Sequence, residues 1–358
     1  MRPHARGASA SLGRPRRVPR LVGRTGSTRV TATVEPVAGH LYAGYSTGPR
    51  QMPVIGVHRL TADIMHIRLA PADGTGPAPY QPGSHLIVTA GAHRNAYSLV
   101  DDGFLPDSYG VSVLRRGAGG GSEWLHDNVS EGAVLEVEGP RSMFAPVWNQ
   151  RHMLLVAGGI GITPILSHLR SAVRRRTSAE VIYSYRAGAA AHLDELRELA
   201  SHTGITLFEV SGAADTRRLL ADRIHRQPLG THAYACGPIA MLDAYVDAAA
   251  TAGWPPSRVH LERFTAPAQD PGEPFTVTVA SSGRRIDIPA GVSMLQGLLG
   301  NGVRVANLCR QGVCGECRVP VRSGDVEHRD FVLTDDERAA GDSMLCCVSR
   351  GHDIEVDL

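Results

Sequence analysis

Three cysteines near the carboxyl-terminal end of the chain stand close enough in sequence to share one metal centre. They occur in the loop sequence Cys309-Arg-Gln-Gly-Val-Cys314-Gly-Glu-Cys317, and Cys347 follows at a distance. Thiolates at the spacing C-x4-C-x2-C, with a remote fourth cysteine, are the ligand set of a plant-type [2Fe-2S] cluster. The two glycines of the loop allow the positive φ angles that such a tight turn needs. The spacing therefore predicts a one-electron iron-sulfur centre held by these four cysteines.

Two other roles for the cysteines fit the sequence less well. Structural zinc sites usually pair two short C-x2-C or H-x3-H knuckles, and the second knuckle would have to be the adjacent Cys346 and Cys347. Disulfide frameworks belong to small secreted domains, and nothing in this sequence reads as a secretory signal. Zinc and disulfides are the alternatives to the cluster.

A second candidate site is a glycine run after the apolar segment MLLVAGG, which is typical of a buried parallel strand. Gly158, Gly159 and Gly161 stand there ahead of Thr163 and Pro164. Where a strand turns into a helix without Cβ atoms, a pyrophosphate can approach backbone N–H groups and the positive helix end. We predict Thr163 as the N-cap of that helix and Pro164 as its first residue. The spacing is not the G-x-G-x-x-G of the dinucleotide fingerprint, so a purely structural turn is the alternative.

The elements that must position these sites divide the chain of 358 residues into several domains. Six short strand-like segments separated by Pro, Gly and Asp predict an antiparallel β-barrel over residues 51–148. Strands that alternate with helices predict a doubly wound α/β nucleotide-binding domain over residues 149–265. After a proline-rich linker at 266–274, a hairpin, two helices and the cysteine loop predict an α+β β-grasp domain over residues 275–358.

Composition limits the function classes that the chain can belong to. No apolar run approaches the roughly 18 residues that span a bilayer. Aromatic residues make up 5% of the chain, and the basic residues are not interleaved with them as in proteins that stack nucleic acid. We therefore expect a cytoplasmic protein with no membrane span and no nucleic-acid partner.

The first 50 residues differ in composition from the rest of the chain. Eight arginines and no acidic residue lie between Met1 and Val34, which leaves 29 of the 37 basic residues against all 35 acidic ones. The segment is rich in Arg, Ala, Gly, Ser and Thr and has no clear hydrophobic period. We predict a disordered amino-terminal extension over residues 1–50.

Four short motifs occur in an order that matches a known family. They are Arg94-Asn-Ala-Tyr97-Ser98 in the barrel, Gly158 to Pro164, Cys236-Gly237-Pro238 at the end of a late strand, and the ferredoxin cysteines. Over about residues 52 to 358 the chain resembles the ferredoxin-NADP reductase superfamily, and with its carboxyl-terminal ferredoxin it resembles the phthalate dioxygenase reductase family. The resemblance implies a hydride taken from NADH onto a flavin and electrons returned singly through the cluster. The implied acceptor is the terminal oxygenase of a Rieske-type hydroxylase or demethylase.

Two alternatives to that function remain open at the level of the sequence. One is a reductase for a different acceptor, such as a cytochrome P450. The other is a redox-sensing module that binds flavin and cluster without turning over NADH.

The resemblance assigns the flavin to the barrel motif. Tyr97 is expected to pack its ring on the isoalloxazine, and Ser98 is expected to hydrogen-bond near N5, the atom that takes the hydride. The family signature is R-x-Y-S, whereas here Arg94 stands one position earlier and Asn95 fills its usual place. Either Arg94 reaches the flavin phosphate from a shifted position, or Asn95 and backbone donors replace it. For Tyr97 and Ser98 the alternative is an ordinary strand pair.

A glycine loop completes the implied flavin site. Gly120, Gly121 and Ser122 match a family loop that clasps the flavin phosphate, with a flexible surface loop as the alternative. The one aromatic residue nearby, Trp124, is placed by the sequence in the helix that follows and not as a platform for adenine. FMN is therefore predicted over FAD.

The resemblance also implies the nicotinamide site. Cys236 is expected beside the nicotinamide C4, with Gly237 letting the chain turn away beneath it, and Phe264 is expected near both rings. A buried small hydrophobe is the alternative for Cys236, and core packing is the alternative for Phe264. Arg186, after the second strand of this domain, would favour a 2′-phosphate. Because the family habit is NADH, we predict NADH over NADPH.

The same comparison selects the fourth cluster ligand and the docking face. Cys347 is preferred over Cys346 because its interval from the loop and the sequence Cys-Val-Ser-Arg resemble the family ending. Glu316, Asp325 and Asp330 are candidates for steering the acceptor protein, with ordinary surface charge as the alternative.

Overall fold

Six strands form the antiparallel sheet that the sequence predicts. The computed structural model describes residues 48–117 and 119–358. The strands are β1 (Arg50–Arg59), β2 (Ile64–Leu69), β3 (Ser84–Ala90), β4 (His93–Ser98), β5 (Tyr109–Leu114) and β6 (Val134–Ser142). Their order is β4-β3-β6-β1-β2-β5, and a bridge between Leu99 and Val111 joins the two edges into a barrel. Helix α1 (Gly121–Asn128) packs against β3, β4 and β5.

The barrel core follows from the alternation of side chains along each strand. In β5, Val111 and Val113 are buried in the apolar core of the barrel. The side chain of Ser112 between them therefore points to the opposite face of the sheet. That face carries the contacts with the next domain.

Five parallel strands and four helices form the second domain, as predicted. The strands are β7 (His152–Gly158), β8 (Ser178–Ser184), β9 (Ile205–Val210), β10 (Thr231–Cys236) and β11 (Val259–Glu262). The helices are α2 (Ile162–Arg175), α3 (Leu193–Ala200), α4 (Ala213–His225) and α5 (Ile239–Thr251). The strand order β11-β10-β7-β8-β9 changes direction at β7, so the carboxyl ends of β7 and β10 form the crevice where such sheets bind ligands.

The predicted start of helix α2 is wrong. A 3₁₀ turn over Gly159–Gly161 runs directly into the helix, which begins at Ile162 with Gly161 as its N-cap. Thr163 and Pro164 therefore lie inside the first turn, and the Thr163 hydroxyl donates to the Ile160 carbonyl at 3.1 Å. Because the 3₁₀ turn ends at Gly161, a residue without a side chain stands at the N-cap position.

The carboxyl-terminal domain is a mixed five-stranded sheet with two helices. Its strands are β12 (Phe275–Val279), β13 (Arg284–Ile288), β14 (Arg318–Glu327), β15 (Ser343–Leu345) and β16 (Arg350–Val356), in the order β13-β12-β16-β14-β15. Helices α6 (Met294–Gly300) and α7 (Asp335–Ala340) each begin with a capping box. The sequence did not predict β14 and β15, because Pro320 and Gly324 interrupt the first and only three residues form the second.

The linker at 266–274 is fastened to this last domain. The Ala266 amide donates to Gln311 Oε1 at 3.1 Å, and Gln269 Nε2 donates to the Arg329 carbonyl at 2.7 Å. Residues 1–47 of the predicted extension lie outside the described residues, and the four domain limits stay predictions. In the described part of the chain, no helix is both long enough and apolar enough to cross a bilayer.

Candidate functional site

One cavity of about 450 Å³ is lined by residues of all three predicted domains. The barrel contributes Arg94, Tyr97 and Ser98. The nucleotide-binding domain contributes Thr163 and Phe264, and the cysteine loop contributes Cys309 and Cys314. Sites that enclose a small organic ligand usually have volumes of roughly 300 to 1,000 Å³. Predicted residues more than 200 positions apart in sequence therefore meet around one ligand-sized space.

The guanidinium of Arg94 is engaged in a network of charges. It pairs with Glu138 at 2.6 Å, and Glu138 also pairs with Arg141. Arg141 in turn holds Glu316 of the cysteine loop at 2.9 Å. Asn95 and Tyr97 lie together on the other face of β4, with the Asn95 amide 3.5 Å from the Tyr97 hydroxyl. Arg94 lines the cavity, but its charge is already balanced by Glu138.

The predicted phosphate loop lies directly behind Asn95. A Cβ atom on Gly121 would stand 2.9 Å from Asn95 Nδ2, so the loop and the amide are in contact. Neither Gly120 nor Gly121 nor Ser122 lines the cavity itself. The Ser122 hydroxyl accepts from the Arg116 amide at 3.4 Å, which ties the start of α1 to the end of β5.

Arg116 is a cavity residue that the sequence reasoning missed. Its side chain is exposed and lines the cavity, and among the described residues no ion pair to it is found. It stands just before the glycine loop, so its position in the sequence was the available signal. Over residues 48–117 and 119–358, Arg116 is therefore a cavity cation with no carboxylate paired to it.

The glycine run lets two strand ends approach each other. A Cβ on Gly161 would lie 2.2 Å from the Cys236 carbonyl oxygen, so a side chain there would collide with β10. Gly158 and Gly237 approach the Met241 side chain of α5, whereas a Cβ on Gly159 would meet nothing within 4 Å and Pro164 lies in the first turn of α2. Of this segment Ile160 and Thr163 line the cavity. The run thus brings the turn before α2 against the carboxyl end of β10.

Cys236 is fully buried and does not line the cavity. Burial, followed by the neighbouring Glu262 carboxyl, raises the pKa of its thiol well above the ordinary value. Cys236 therefore remains a thiol at neutral pH. Phe264 lines the cavity and also packs on the core of the nucleotide-binding domain.

Glu262 is the second cavity residue that sequence reasoning missed. It ends β11 as the strand partner of Cys236, and within the described part of the chain its buried Oε2 has no hydrogen-bond partner. Burial raises the pKa of Glu262 to about 8. At neutral pH the carboxyl therefore carries a proton that it can donate. The signal in the sequence was an acidic residue at the end of a strand, two positions before Phe264.

The cysteines lie in two groups, and each group holds two of the four predicted cluster ligands. Cys309 and Cys314 contact each other through their thiols, and Cys317 contacts both Cys346 and Cys347. Over the described ranges, no three Cys, His, Asp or Glu side chains gather as a single-ion site. Two pairs suit two iron atoms, each taking two thiolates, better than one tetrahedral zinc. The donor set therefore fits a two-iron cluster.

The backbone of the loop is arranged around the sulfur atoms. The Gln311 amide donates to Cys309 Sγ at 3.3 Å. Gly312 has φ +71°, and a Cβ there would lie 2.6 Å from Val348 Cγ2, so the turn requires glycine. The Gly312 amide also reaches the Cys347 sulfur, whereas Cys346 contacts only Cys317 among the other loop cysteines. These contacts favour Cys347 over Cys346 as the fourth ligand.

The three acidic residues that are candidates for steering the acceptor protein differ in whether their carboxylates are free to contact it. Glu316 is held by Arg141, and Asp330 is buried and accepts from the amides of Val332 and Leu333. Asp325 alone of the three is an exposed residue of β14 without such a role. Arg186 is exposed in the loop after β8.

Comparisons with known proteins agree with this architecture. The family described as "2Fe-2S iron-sulfur cluster binding domain" matches residues 277–350. The family described as "Dimethylamine monooxygenase subunit DmmA-like, N-terminal domain" matches residues 140–259. The chain is 40% identical over 303 residues to the heme-dependent oxidative N-demethylase beta subunit of Ectopseudomonas mendocina (strain ymp), covering 83% of this chain and 94% of the relative.

Solved structures share the fold. The structure of an intact type IV self-sufficient cytochrome P450 monooxygenase is similar with a TM-score of 0.74 at 32% identity, over 87% of this chain but 41% of that one. This chain therefore spans about two fifths of the P450 protein. The structure of phthalate dioxygenase reductase is similar with a TM-score of 0.66 at 32% identity, over 87% of this chain and 98% of that one.

The sequence of the same reductase supports the relationship over nearly its full length. Phthalate dioxygenase reductase of Burkholderia cepacia is 33% identical over 319 residues, which are 86% of this chain and 96% of the relative. The chain belongs to the phthalate dioxygenase reductase family, whose members join a flavin- and nicotinamide-binding module to a [2Fe-2S] ferredoxin domain.

Proposed function

We propose that this reductase takes electrons from NADH through FMN and the [2Fe-2S] cluster to a terminal oxygenase, and that it acts in the cytoplasm, where NADH is available. The observation that carries the proposal is the single cavity at which the barrel, the nucleotide-binding domain and the cysteine loop meet. A flavin bound there supplies the conversion of a two-electron hydride into single electrons. The protein's own residues bind and orient the reactants.

The walls of the cavity suit a flat ring system. Tyr97 offers a half-buried ring from the barrel, and burial raises its pKa, so its hydroxyl stays neutral. We propose that Tyr97 packs on the isoalloxazine and that Ser98 donates a hydrogen bond near its reactive edge. On the opposite side, Phe264 would limit how the nicotinamide enters. Glu262 would orient the nicotinamide by donating the proton it retains at neutral pH.

The flavin phosphate needs a positive charge and backbone donors. We propose that the N–H groups of the 120–122 loop, the Asn95 amide and the Arg116 guanidinium provide them. Arg94 contributes less in this proposal, because Glu138 already balances its charge. Trp124 packs on the barrel core and against Gly91, which supports FMN over FAD because the ring is occupied.

The nicotinamide nucleotide is proposed to sit at the carboxyl ends of β7 and β10, with its pyrophosphate at the turn from Gly158 to Pro164. Cys236 is proposed to support the nicotinamide from behind that turn. The preference for NADH rests on the family resemblance, and Arg186 is the exposed cation that would favour a 2′-phosphate. Comparing kcat/KM for NADH and NADPH before and after Arg186→Ala tests the preference. A higher value for NADPH in the unaltered protein would contradict it.

Cys309, Cys314, Cys317 and Cys347 are proposed to hold the cluster. The proposed acceptor is the oxygenase of a Rieske-type system. A haem-containing acceptor is the second candidate, favoured by the relative named as a heme-dependent demethylase subunit and by the likeness to the P450 structure. Substrate-dependent NADH consumption with a purified oxygenase of each class distinguishes them.

The proposed activity is tested with an artificial one-electron acceptor. The purified protein, loaded with FMN and cluster, is expected to reduce cytochrome c rapidly with NADH. Full cofactor content without NADH oxidation would contradict a reductase and favour a redox-sensing module.

A further inference from the structure

Ser112 places a hydroxyl group between the cavity and the adjoining domain. It lines the cavity, and only 4% of the residue is exposed to solvent. Its side chain points away from the barrel core, toward the face that meets the nucleotide-binding domain. A buried hydroxyl in this position requires hydrogen-bond partners.

Two histidine rings from different domains supply those partners. Ser112 Oγ lies 2.9 Å from Nδ1 of His66, its neighbour across the β2–β5 strand pair. It also lies 2.8 Å from Nε2 of His192, which comes from the loop before α3. The two rings meet edge to face with centroids 5.5 Å apart. Because a hydroxyl has one proton, Ser112 donates to one ring and accepts from the other.

The contacts continue from His192 to the surface. His192 Nδ1 lies 3.4 Å from Oε2 of Glu195, whose side chain is 29% exposed. Arg170 Nε donates to the same carboxylate at 2.6 Å. Burial opposes ionisation of Glu195, but the contacts with His192 and Arg170 outweigh it and lower its pKa. A continuous series of polar groups therefore leads from the cavity to a partly exposed carboxylate.

The backbone at His192 is held in an unusual conformation. Its φ of +58° and ψ of 20° lie in the left-handed region, which costs an ordinary residue of the order of 1 kcal/mol. Such conformations concentrate at functional sites, where the surrounding structure holds them in place. Here the conformation directs a ring that is 6% exposed toward Ser112.

Charges around the series favour neutral His66. Burial lowers the pKa of His66 to about 4, and the neighbouring His192, Arg170, His58 and Arg68 act in the same direction. His66 is thus an uncharged partner that orients the Ser112 hydroxyl. Asp101, on the other side of Arg170, has a pKa raised by burial despite that arginine.

The proposed function leaves one proton in the cavity. Oxidation of NADH gives NAD⁺, two electrons and one proton. The electrons leave singly through the cluster, whereas the proton leaves the cavity by a separate route.

We propose that Ser112, His192 and Glu195 form that proton exit path, an inference that rests on the proposed function. A proton arriving from the cavity binds Ser112 Oγ as the hydroxyl proton moves to His192 Nε2. The Nδ1 proton of His192 then passes to the Glu195 carboxylate and on to solvent. No carbon bond changes and no group is oxidised or reduced. The transfer leaves His192 with its proton on Nε2, so the ring must exchange back to the Nδ1–H tautomer before it can carry the next proton.

Proton release can be measured separately from hydride transfer. The full chain with flavin and cluster is mixed with NADH and excess cytochrome c in weak buffer containing a pH-indicator dye. Ser112→Ala and His192→Gln are expected to slow dye-detected proton release about tenfold or more. The rate at which NADH alone bleaches the flavin under anaerobic conditions should stay within about twofold of the unaltered protein, because hydride transfer does not need general acid–base catalysis.

Matched variants separate transfer from structure. Ser112→Thr keeps the hydroxyl and should restore proton release. His232 is hydrogen-bonded to His260 and does not line the cavity. His232→Gln should therefore release protons at the rate of the unaltered protein. Proton release at the unaltered rate in both Ser112→Ala and His192→Gln would overturn the path while leaving the proposed function intact. Absence of NADH oxidation in the unaltered protein would overturn both.

A second readout needs no turnover. In the flavin-free chain, nitrogen-15 NMR is expected to show the His192 Nε2 resonance shifting in Ser112→Ala, because its hydrogen-bond donor is removed. An unchanged Nε2 resonance would overturn the path even if turnover were altered.

Discussion

Arg141 of the barrel and Glu316 of the cysteine loop form an ion pair, with Nη1 of the arginine 2.9 Å from Oε2 of the glutamate. Glu316 stands between Cys314 and Cys317, so this pair links the proposed flavin domain to the proposed cluster loop. Through Glu138 the same network reaches Arg94 on the wall of the cavity.

Loss of that pair should slow electron arrival at the cluster. In Arg141→Gln, cluster reduction after mixing with NADH is expected to fall roughly two- to fivefold, since a half-exposed ion pair contributes about 1 kcal/mol at most. Stopped-flow absorbance at the flavin and cluster bands measures it. Arg226→Gln, which breaks a remote surface pair with Asp222, is the control. Equal rates in the two variants would show that the pair does not position the loop.

The flavin phosphate assignment distinguishes two arginines. Arg116→Ala is expected to weaken FMN binding by about 1.5–3 kcal/mol, or roughly 10- to 100-fold, because an unbalanced charge is lost. Arg94→Ala should weaken it less, since Glu138 already neutralises that guanidinium. Fluorescence titration of the flavin-free protein with FMN measures both. A larger loss of FMN affinity in Arg94→Ala than in Arg116→Ala would assign the flavin phosphate to Arg94.

Glu262 should make stability depend on pH. Burial raises its pKa to about 8 from 4.5, so the folded protein retains a proton that the unfolded chain releases. The stabilisation is complete below pH 4.5 and is lost as the pH rises through 8, by up to about 1.4 kcal/mol per unit. Glu262→Gln removes this dependence. Parallel melting-temperature curves for both proteins from pH 5 to 9 would refute a buried, unpaired carboxyl.

Adjacent cysteines offer a matched test of the cluster ligands. Cys314→Ser and Cys347→Ser are expected to lose cluster absorbance while flavin reduction by NADH continues. Cys346→Ser should keep the cluster, because the Gly312 amide reaches the sulfur of Cys347 and not that of Cys346. Iron and sulfide analysis beside visible spectra checks all three. A cluster that survives in Cys347→Ser and fails in Cys346→Ser would exchange the two roles.

Features that depend on residues close in sequence were predicted better than features that depend on residues far apart in the chain. The cysteine spacing, the strand alternation and the glycine run each depend on residues close in sequence, so they indicated cluster, barrel and nucleotide-binding domain. Arg116, Glu262 and His192 acquire their roles only when separate domains meet. The position of Arg116 before the glycine loop and the acidic residue near Phe264 were local signals, whereas no local pattern marks His192. The N-cap at Thr163 was wrong for a related reason, since a 3₁₀ turn leads into the helix.

Anaerobic rapid mixing of the loaded protein with NADH follows the ordered transfer of electrons through the cavity. The flavin band is expected to bleach first and the cluster band to follow, with cluster bleaching lost in Cys314→Ser and flavin bleaching unchanged. Cluster bleaching that precedes flavin bleaching, or that persists in flavin-free protein, would contradict it.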